Sequence, residues 1–210
     1  MRGRLCKAVP LTGVLSGAFR DCPVQDPADM KLLAISGSAR QESTNTTLLM
    51  AMRGLAPVGV DVSVFHRLDT LPVFSPDLEG ERTPMAVIDF LSRIAGADGI
   101  IISSPEYVRA IPGGLKNAID WMVSRYEIIG KPIALAHASH RGDDMLASLR
   151  VVLGTVSDGF LPQVFLRLPL VGKSVEDIAL LMREPGYASQ ITDFLSEVAA
   201  AIEARSLGRL

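Results

Sequence analysis

Across 210 residues the chain carries a formal net charge of −2 and is 48% apolar. That apolar content supports one substantial core. The charge balance offers no basic footprint for nucleic acid, and no apolar run is long enough to cross a bilayer as a helix. Cys6 and Cys22 both lie near the start, so neither a disulfide framework nor a cysteine-built zinc site is expected. A cytoplasmic location fits this cysteine usage.

Residues 1–29 differ from the rest. Arg2, Arg4 and Lys7 precede an apolar stretch, as in a signal peptide. Pro10, Gly13, Ser16 and Gly17 break that stretch, and Arg20 and Asp21 follow it closely. The plainer reading is a disordered extension, or upstream sequence translated from an early start codon. Met30 is then the natural start, and residues 30–210 form one domain.

Strand-length and helix-length segments alternate from there. Lys31–Ser36 reads as a strand and Thr46–Leu55 as a helix. Val60–Phe65 alternates apolar and polar residues, as a strand does at a sheet edge. A long loop, residues 66–84, leads to a helix over Met85–Ala95, with Val87, Ile88, Leu91, Ile94 and Ala95 on its apolar face. The run from Asp98 to Ser104 is β-branched throughout its centre, typical of a strand buried on both faces. Leu115–Met122 is a helix, Pro132–Ser139 a second buried strand and Asp143–Val156 a helix. Leu161–Leu168 is a strand whose Arg167 suggests an exposed edge. Ala188–Ala204 closes the chain as a helix.

Strict β-α alternation argues for a parallel sheet with helices on both faces. Interior-type strands third and fourth, with edge-type strands second and last, match the order 2-1-3-4-5. This is the flavodoxin-like arrangement: an α/β fold of three layers around a five-stranded parallel sheet. Its ligand sits at the carboxyl ends of the strands, near the switch point between the first and third.

Three loops meet there: Gly37–Thr46, Ser104–Gly114 and His137–Gly142. The first runs from a strand into a helix N-terminus, which favours an anion. Ser38, Ser43, Asn45 and Thr46 offer neutral donors, and Arg40 offers a charged one. The set suits a terminal phosphate monoester; a helix cap without a ligand is the equally ordinary alternative. Neither Gly-x-Gly-x-x-Gly nor Gly-Lys-Ser/Thr is present, so a dinucleotide fingerprint and a triphosphate loop both fail. The second loop is bent by Pro105, Pro112, Gly113 and Gly114, and Tyr107 offers a flat face. Trp121 reads as packing, and Asp143 and Asp144 read as acids favoured by a helix dipole. No metal site is expected.

Ser36–Thr46 resembles the Gly-Ser-x-Arg-x-x-Ser-x-Asn phosphate loop of the NADPH-dependent FMN reductase family, which includes chromate, quinone and azo-dye reductases. The segment Pro105–Trp121 resembles that family's Pro-Glu-Tyr-Asn-x-Ser-x-Pro-Gly-x-Leu-Lys-Asn-Ala-Ile-Asp-Trp motif. The resemblance implies that Ser38, Arg40, Ser43, Asn45 and Thr46 hold the FMN phosphate. It implies that Pro105, Glu106, Tyr107 and Val108 border the isoalloxazine ring, with His137 and Ser139 approaching its pyrimidine side. It further implies NADPH or NADH as co-substrate, a small-molecule electron acceptor and a homodimer or homotetramer. No catalytic side chain is named, because hydride transfer is chemistry of the cofactor. Arg141 is a candidate to ease negative charge on the reduced flavin, and Arg109 a candidate to meet a phosphate or an anionic acceptor.

Val108 stands where the family has Asn, Ala110 where it often has Ser, and His137, His140 and Arg141 make the third loop bulkier and more basic. Two other readings therefore stay open at this point. One is a degenerate flavodoxin-like protein without flavin, serving as an interaction or regulatory module. The other is a flavodoxin-type electron carrier, a class whose members are usually far more acidic.

Overall fold

The computed structural model describes residues 30–40 and 42–208; the readings for residues 1–29 lie outside them. Five strands, β1 (Met30–Ser36), β2 (Val60–Phe65), β3 (Gly99–Ser103), β4 (Ile133–His137) and β5 (Phe160–Arg167), form one sheet. The order is β2-β1-β3-β4-β5 and every neighbouring pair is parallel. The flavodoxin-like arrangement is thus present, with β2 and β5 on the edges.

Alternation along the strands divides the core in two. Leu33 and Ile35 of β1 face one side, with Ile100, Ile102, Ile133 and Leu135. That side is covered by α2 (Met85–Ala95), α3 (Gly113–Asp120) and α4 (Asp143–Val156). Leu32 and Ala34 face the other side, with Ile101, Ala134 and Ala136. There α1 (Thr44–Gly54), α5 (Val175–Leu181) and α6 (Pro185–Leu207) pack. All five residues of β3 and of β4 are buried, as a strand covered on both faces requires.

Several boundaries differ from the pattern reading. The first helix begins at Thr44, since Ser43 caps it by accepting a hydrogen bond from the Thr46 N–H. Helix α3 ends at Asp120, and Trp121 is its buried C-cap residue, donating from Nε1 to the Pro72 carbonyl at 2.8 Å. On α2 the buried face is Val87, Phe90, Leu91 and Ile94. Ile88 and Ala95 are exposed there, because Phe90 completes the i, i+3, i+4, i+7 stripe. Helix α5 was not anticipated: it is seven residues long and buries a single apolar side chain, Ile178. The long loop after β2 contains three short 3-10 turns, at Leu68–Thr70, Pro76–Leu78 and Gly80–Arg82.

Candidate active site

The carboxyl ends of β1, β3 and β4 bring the three loops together. The first is stitched to its surroundings by small polar groups. Ser36 and Thr46 share a hydroxyl–hydroxyl hydrogen bond of 2.8 Å. The Ser103 hydroxyl donates to Asn45 Oδ1 at 2.9 Å, which leaves the Asn45 amide N–H groups for the cleft it lines. Ser38 Oγ accepts from the Arg40 N–H at 3.2 Å, closing a local turn. Gly37 passes so near the third strand's end that a Cβ there would lie 2.5 Å from Ser104 Oγ. Ser38, Ser43 and Asn45 are all buried. The Ser38 and Ser43 side chains therefore shape the loop from within, while Thr44 and Asn45, at the helix N-terminus, line the cleft.

The second loop opens with Pro105 and Glu106 and then folds into a tight hairpin. Tyr107 and Ala110 exchange two backbone hydrogen bonds, of 3.2 and 3.0 Å. Between them Val108 and Arg109 both adopt left-handed backbone, with φ of 52° and 60°. Val108 is fully exposed at the tip, and Arg109 is ion-paired with Asp144. Glu106 turns inward: its Oε2 accepts from the Met145 N–H at 3.2 Å. It thereby caps α4, whose own N-cap residue is Gly142, without a side chain.

The third loop is built around His137, a residue only 1% exposed. Its Nε2 meets the Arg141 carbonyl, which assigns the proton to Nε2. Nδ1 is left buried and without a hydrogen-bond partner among the described residues. Burial pushes the imidazole pKa down, against an opposing pull from the Arg141 carbonyl. Gly142 lies directly on this ring: its φ is 98°, and a Cβ there would come within 2.8 Å of His137 Nε2. Arg167, at the end of β5, fastens the loop from outside. It donates to the Ser139 carbonyl at 3.0 Å, to the Arg141 carbonyl at 3.3 Å and to Asp143 at 2.6 Å.

These walls enclose a cleft of about 330 Å3. Of the sequence-predicted residues, Asn45, Pro105, Glu106, His137 and Ser139 line it, together with Thr44, Ser104, Arg141 and Gly142. Ser38, Ser43 and Thr46 support the loop behind it. Tyr107 and Val108 stand on the exposed hairpin and are not among its lining residues. Arg40 lines a neighbouring cleft instead, with His66 and Arg67. A further cleft of about 460 Å3, lined by Asp98, Lys131 and Arg205 among others, lies at the opposite end of the sheet. Sequence reasoning missed Arg167 as a site residue. The available signal was a cation at the carboxyl end of the strand beside the third loop.

A parallel sheet in this order, with a helix N-terminus after the first strand and a cleft across the switch point, defines a flavodoxin-like ligand-binding protein. Residues 30–166 match the family described as NADPH-dependent FMN reductase, and the chain belongs to that family. It is 31% identical over 113 residues to a quinone reductase of Escherichia coli, covering 52% of this chain and 60% of that protein. It is 37% identical over 113 residues to an NAD(P)H-dependent FMN reductase of Pseudomonas aeruginosa, covering 53% and 60%. The matches thus span about 60% of these curated relatives' length. Among solved structures, a flavoenzyme NAD(P)H:(acceptor) oxidoreductase from Paracoccus denitrificans superposes with a TM-score of 0.59 at 23% identity. That match covers 83% of this chain and 96% of the other. An oxidoreductase from Corynebacterium diphtheriae gives a TM-score of 0.59 at 18% identity, covering 84% and 98%. At such identities these structures bear on the fold alone.

Among the described residues, no helix is long and apolar enough to cross a membrane, and no group of three or more His, Cys, Asp or Glu side chains is arranged to hold a metal.

Proposed function

We propose that this chain is an NAD(P)H-dependent reductase that uses FMN to pass hydride to a small acceptor such as a quinone, an azo compound, a free flavin or chromate. The observation that carries this is the strand-end cleft, closed on one side by the N-terminus of α1 and floored by backbone and small side chains.

The donor set fits FMN. The helix N-terminus attracts an anion, the Asn45 amide is oriented by Ser103, and Gly37 allows close backbone approach. Glu106 is the only acid among the cleft's lining residues, and its Oε2 accepts from the Met145 N–H. The features that favoured a flavin-free protein lose their force. Val108 and Ala110 sit on the exposed hairpin, and His137 lies beneath the cleft rather than filling it.

FMN supplies the hydride chemistry when it is bound. The chain's own residues orient and tune. Asn45 and Thr44 would border the phosphate end, while Pro105 and Glu106 form one wall, with the Pro105 carbonyl accepting from the Ser104 hydroxyl at 3.0 Å. Ser139, Arg141 and Gly142 form the opposite wall, locked by Arg167 and by His137. Arg141, exposed on the rim with its Nε 3.3 Å from His140 Nε2, brings positive charge beside the cleft without a side-chain acid or base. NADPH in preference to NADH, a cytoplasmic location and a homodimer or homotetramer belong to this proposal as the family's expectations. So does residues 30–210 acting as the reductase domain.

The test is an absorbance spectrum of purified protein passed over a sizing column after incubation with FMN, followed by anaerobic NADPH and then benzoquinone. Yellow bands that co-elute, bleach with NADPH and return with benzoquinone are expected. A protein that elutes colourless refutes the reading.

A further inference from the structure

The proposed function uses His137 only as a lock on the third loop. Among the described residues it is the only buried ionisable side chain, 1% exposed, and it lines the strand-end cleft. One ring nitrogen is engaged: Nε2 meets the Arg141 carbonyl. The other is not: Nδ1 is buried without a hydrogen-bond partner among the described residues. An unmade hydrogen bond at a buried polar atom costs free energy and calls for an explanation. The other buried side-chain nitrogens without a partner, Arg125 Nε and Arg205 Nε, belong to residues that do not line this cleft.

With its proton on Nε2, the neutral ring presents a bare lone pair at Nδ1, and a second proton would occupy that position. The surroundings pull both ways. Burial favours the neutral ring, while the Arg141 carbonyl and the Ser104 backbone favour the charged one. Of the charged groups around it, Arg167 at the end of β5 opposes a proton and Asp143 at the start of α4 favours it. Those two are paired with each other at 2.6 Å, so they largely offset. Glu106 of the second loop and Arg141 of the third line the same cleft, His140 accepts from Arg141 Nε at 3.3 Å, and Asp144 is paired with Arg109. A new negative charge in the cleft is what this arrangement lacks to favour the imidazolium, because charges interact strongly where water is excluded.

We propose that His137 takes up the second proton of flavin reduction, so that its imidazolium, and not flavin N1, balances the charge that hydride transfer leaves in the cleft. This rests on the proposed function, which puts FMN there. The nicotinamide nucleotide gives up a hydride, two electrons with one proton, and leaves oxidised. The reduced flavin carries one more negative charge than before, and a proton from solvent binds His137 Nδ1. When a quinone accepts the hydride it takes its second proton from solvent, and His137 releases its own. Two electrons and two protons thus enter and leave in each cycle. His137 acts through charge on the bound flavin and is a positioning residue rather than a catalytic one.

The direct readout is nitrogen NMR of the histidine rings in the FMN-loaded wild-type protein at pH 7, before and after anaerobic NADPH, with His137 assigned by its absence from His137→Gln. Nδ1 is expected to move from the unprotonated to the protonated range on reduction. The second readout is the pH dependence of the flavin midpoint potential near pH 7. Two protons per two electrons are expected in wild type and one in His137→Gln, so the slope falls about twofold in the variant, as proton linkage requires. His140→Gln, which changes a histidine that does not line the cleft, should keep the wild-type slope. An imidazole with a purely structural role would alter FMN affinity in His137→Gln without altering the proton count. A ring that stays neutral in the reduced wild-type protein, or equal slopes in wild type and His137→Gln, overturns the proposal. Either result in a yellow protein that NADPH bleaches leaves the reductase reading standing. A colourless protein refutes that reading and takes this proposal with it.

Discussion

Val108 is the residue at which backbone geometry and side-chain type conflict most openly. Its φ of 52° belongs to the left-handed region, where a β-branched side chain crowds its own backbone. Asn tolerates that region far better, and Asn is what the related motif carries at this position. Val108→Asn is therefore expected to stabilise the protein by about 1 kcal/mol, read as a higher urea midpoint with an unchanged slope. A lower midpoint would show that the hairpin is not strained. Its neighbour Arg109 is ion-paired but highly exposed, so solvent screens the pair and Arg109→Ala is expected to leave the urea midpoint unchanged. His137 gives the protein a pH signature. Burial holds its folded-state pKa below the ordinary value, so between the two values the unfolded chain binds the extra proton. This residue's contribution is complete above about pH 6.5 and is lost as the pH falls toward the lower folded-state value. Melting temperatures measured from pH 8 down to pH 5 should decline less steeply in His137→Gln than in wild type. Parallel curves would remove the buried imidazole from the account.

Two elements hold the site in shape, and each offers a test. Ser43 caps α1 at the point where the first loop becomes a helix, so Ser43→Ala should cost about 1 kcal/mol in chemical unfolding. The end of β5 does the corresponding work for the third loop. Arg167→Met removes three hydrogen bonds to Ser139, Arg141 and Asp143. It should weaken FMN binding in a fluorescence titration even though Arg167 does not line the cleft. Unaltered affinity would mean that the loop keeps its place without the strap. The two elements were unequally legible. The loop's hydroxyl residues announce a cap without saying which of them provides it, and Thr44 and Asn45 lack apolar periodicity, so the pattern starts the helix at Thr46 rather than Thr44. Arg167 was visible only as a mark of an edge strand. That it reaches across to the third loop depends on the sheet register, where it pairs with His137. A linear pattern does not carry that register. The same limit applies to Glu106, whose role as the cap of α4 requires two loops to meet.

At the scale of the whole molecule the order of the sheet was legible because burial differs between strands. The β3 and β4 runs are apolar throughout, β2 alternates and β5 carries an arginine, and these patterns sort centre from edge. The general position of the site followed from that order. Its division did not. The residues gathered by the phosphate-loop motif separate into a scaffold, a strand-end cleft and a second, cationic cleft, because side chains on one short loop point to both sides of it. The central claim is that the strand-end cleft holds FMN with its phosphate at the first loop. The most direct measurement is a crystal structure of the protein grown with FMN. Flavin density between the Pro105–Glu106 wall and the Ser139–Gly142 wall, with the phosphate against the Ser38–Thr46 loop, is the expected result. Flavin bound at the amino ends of the strands, or no flavin at saturating concentration, would contradict the account.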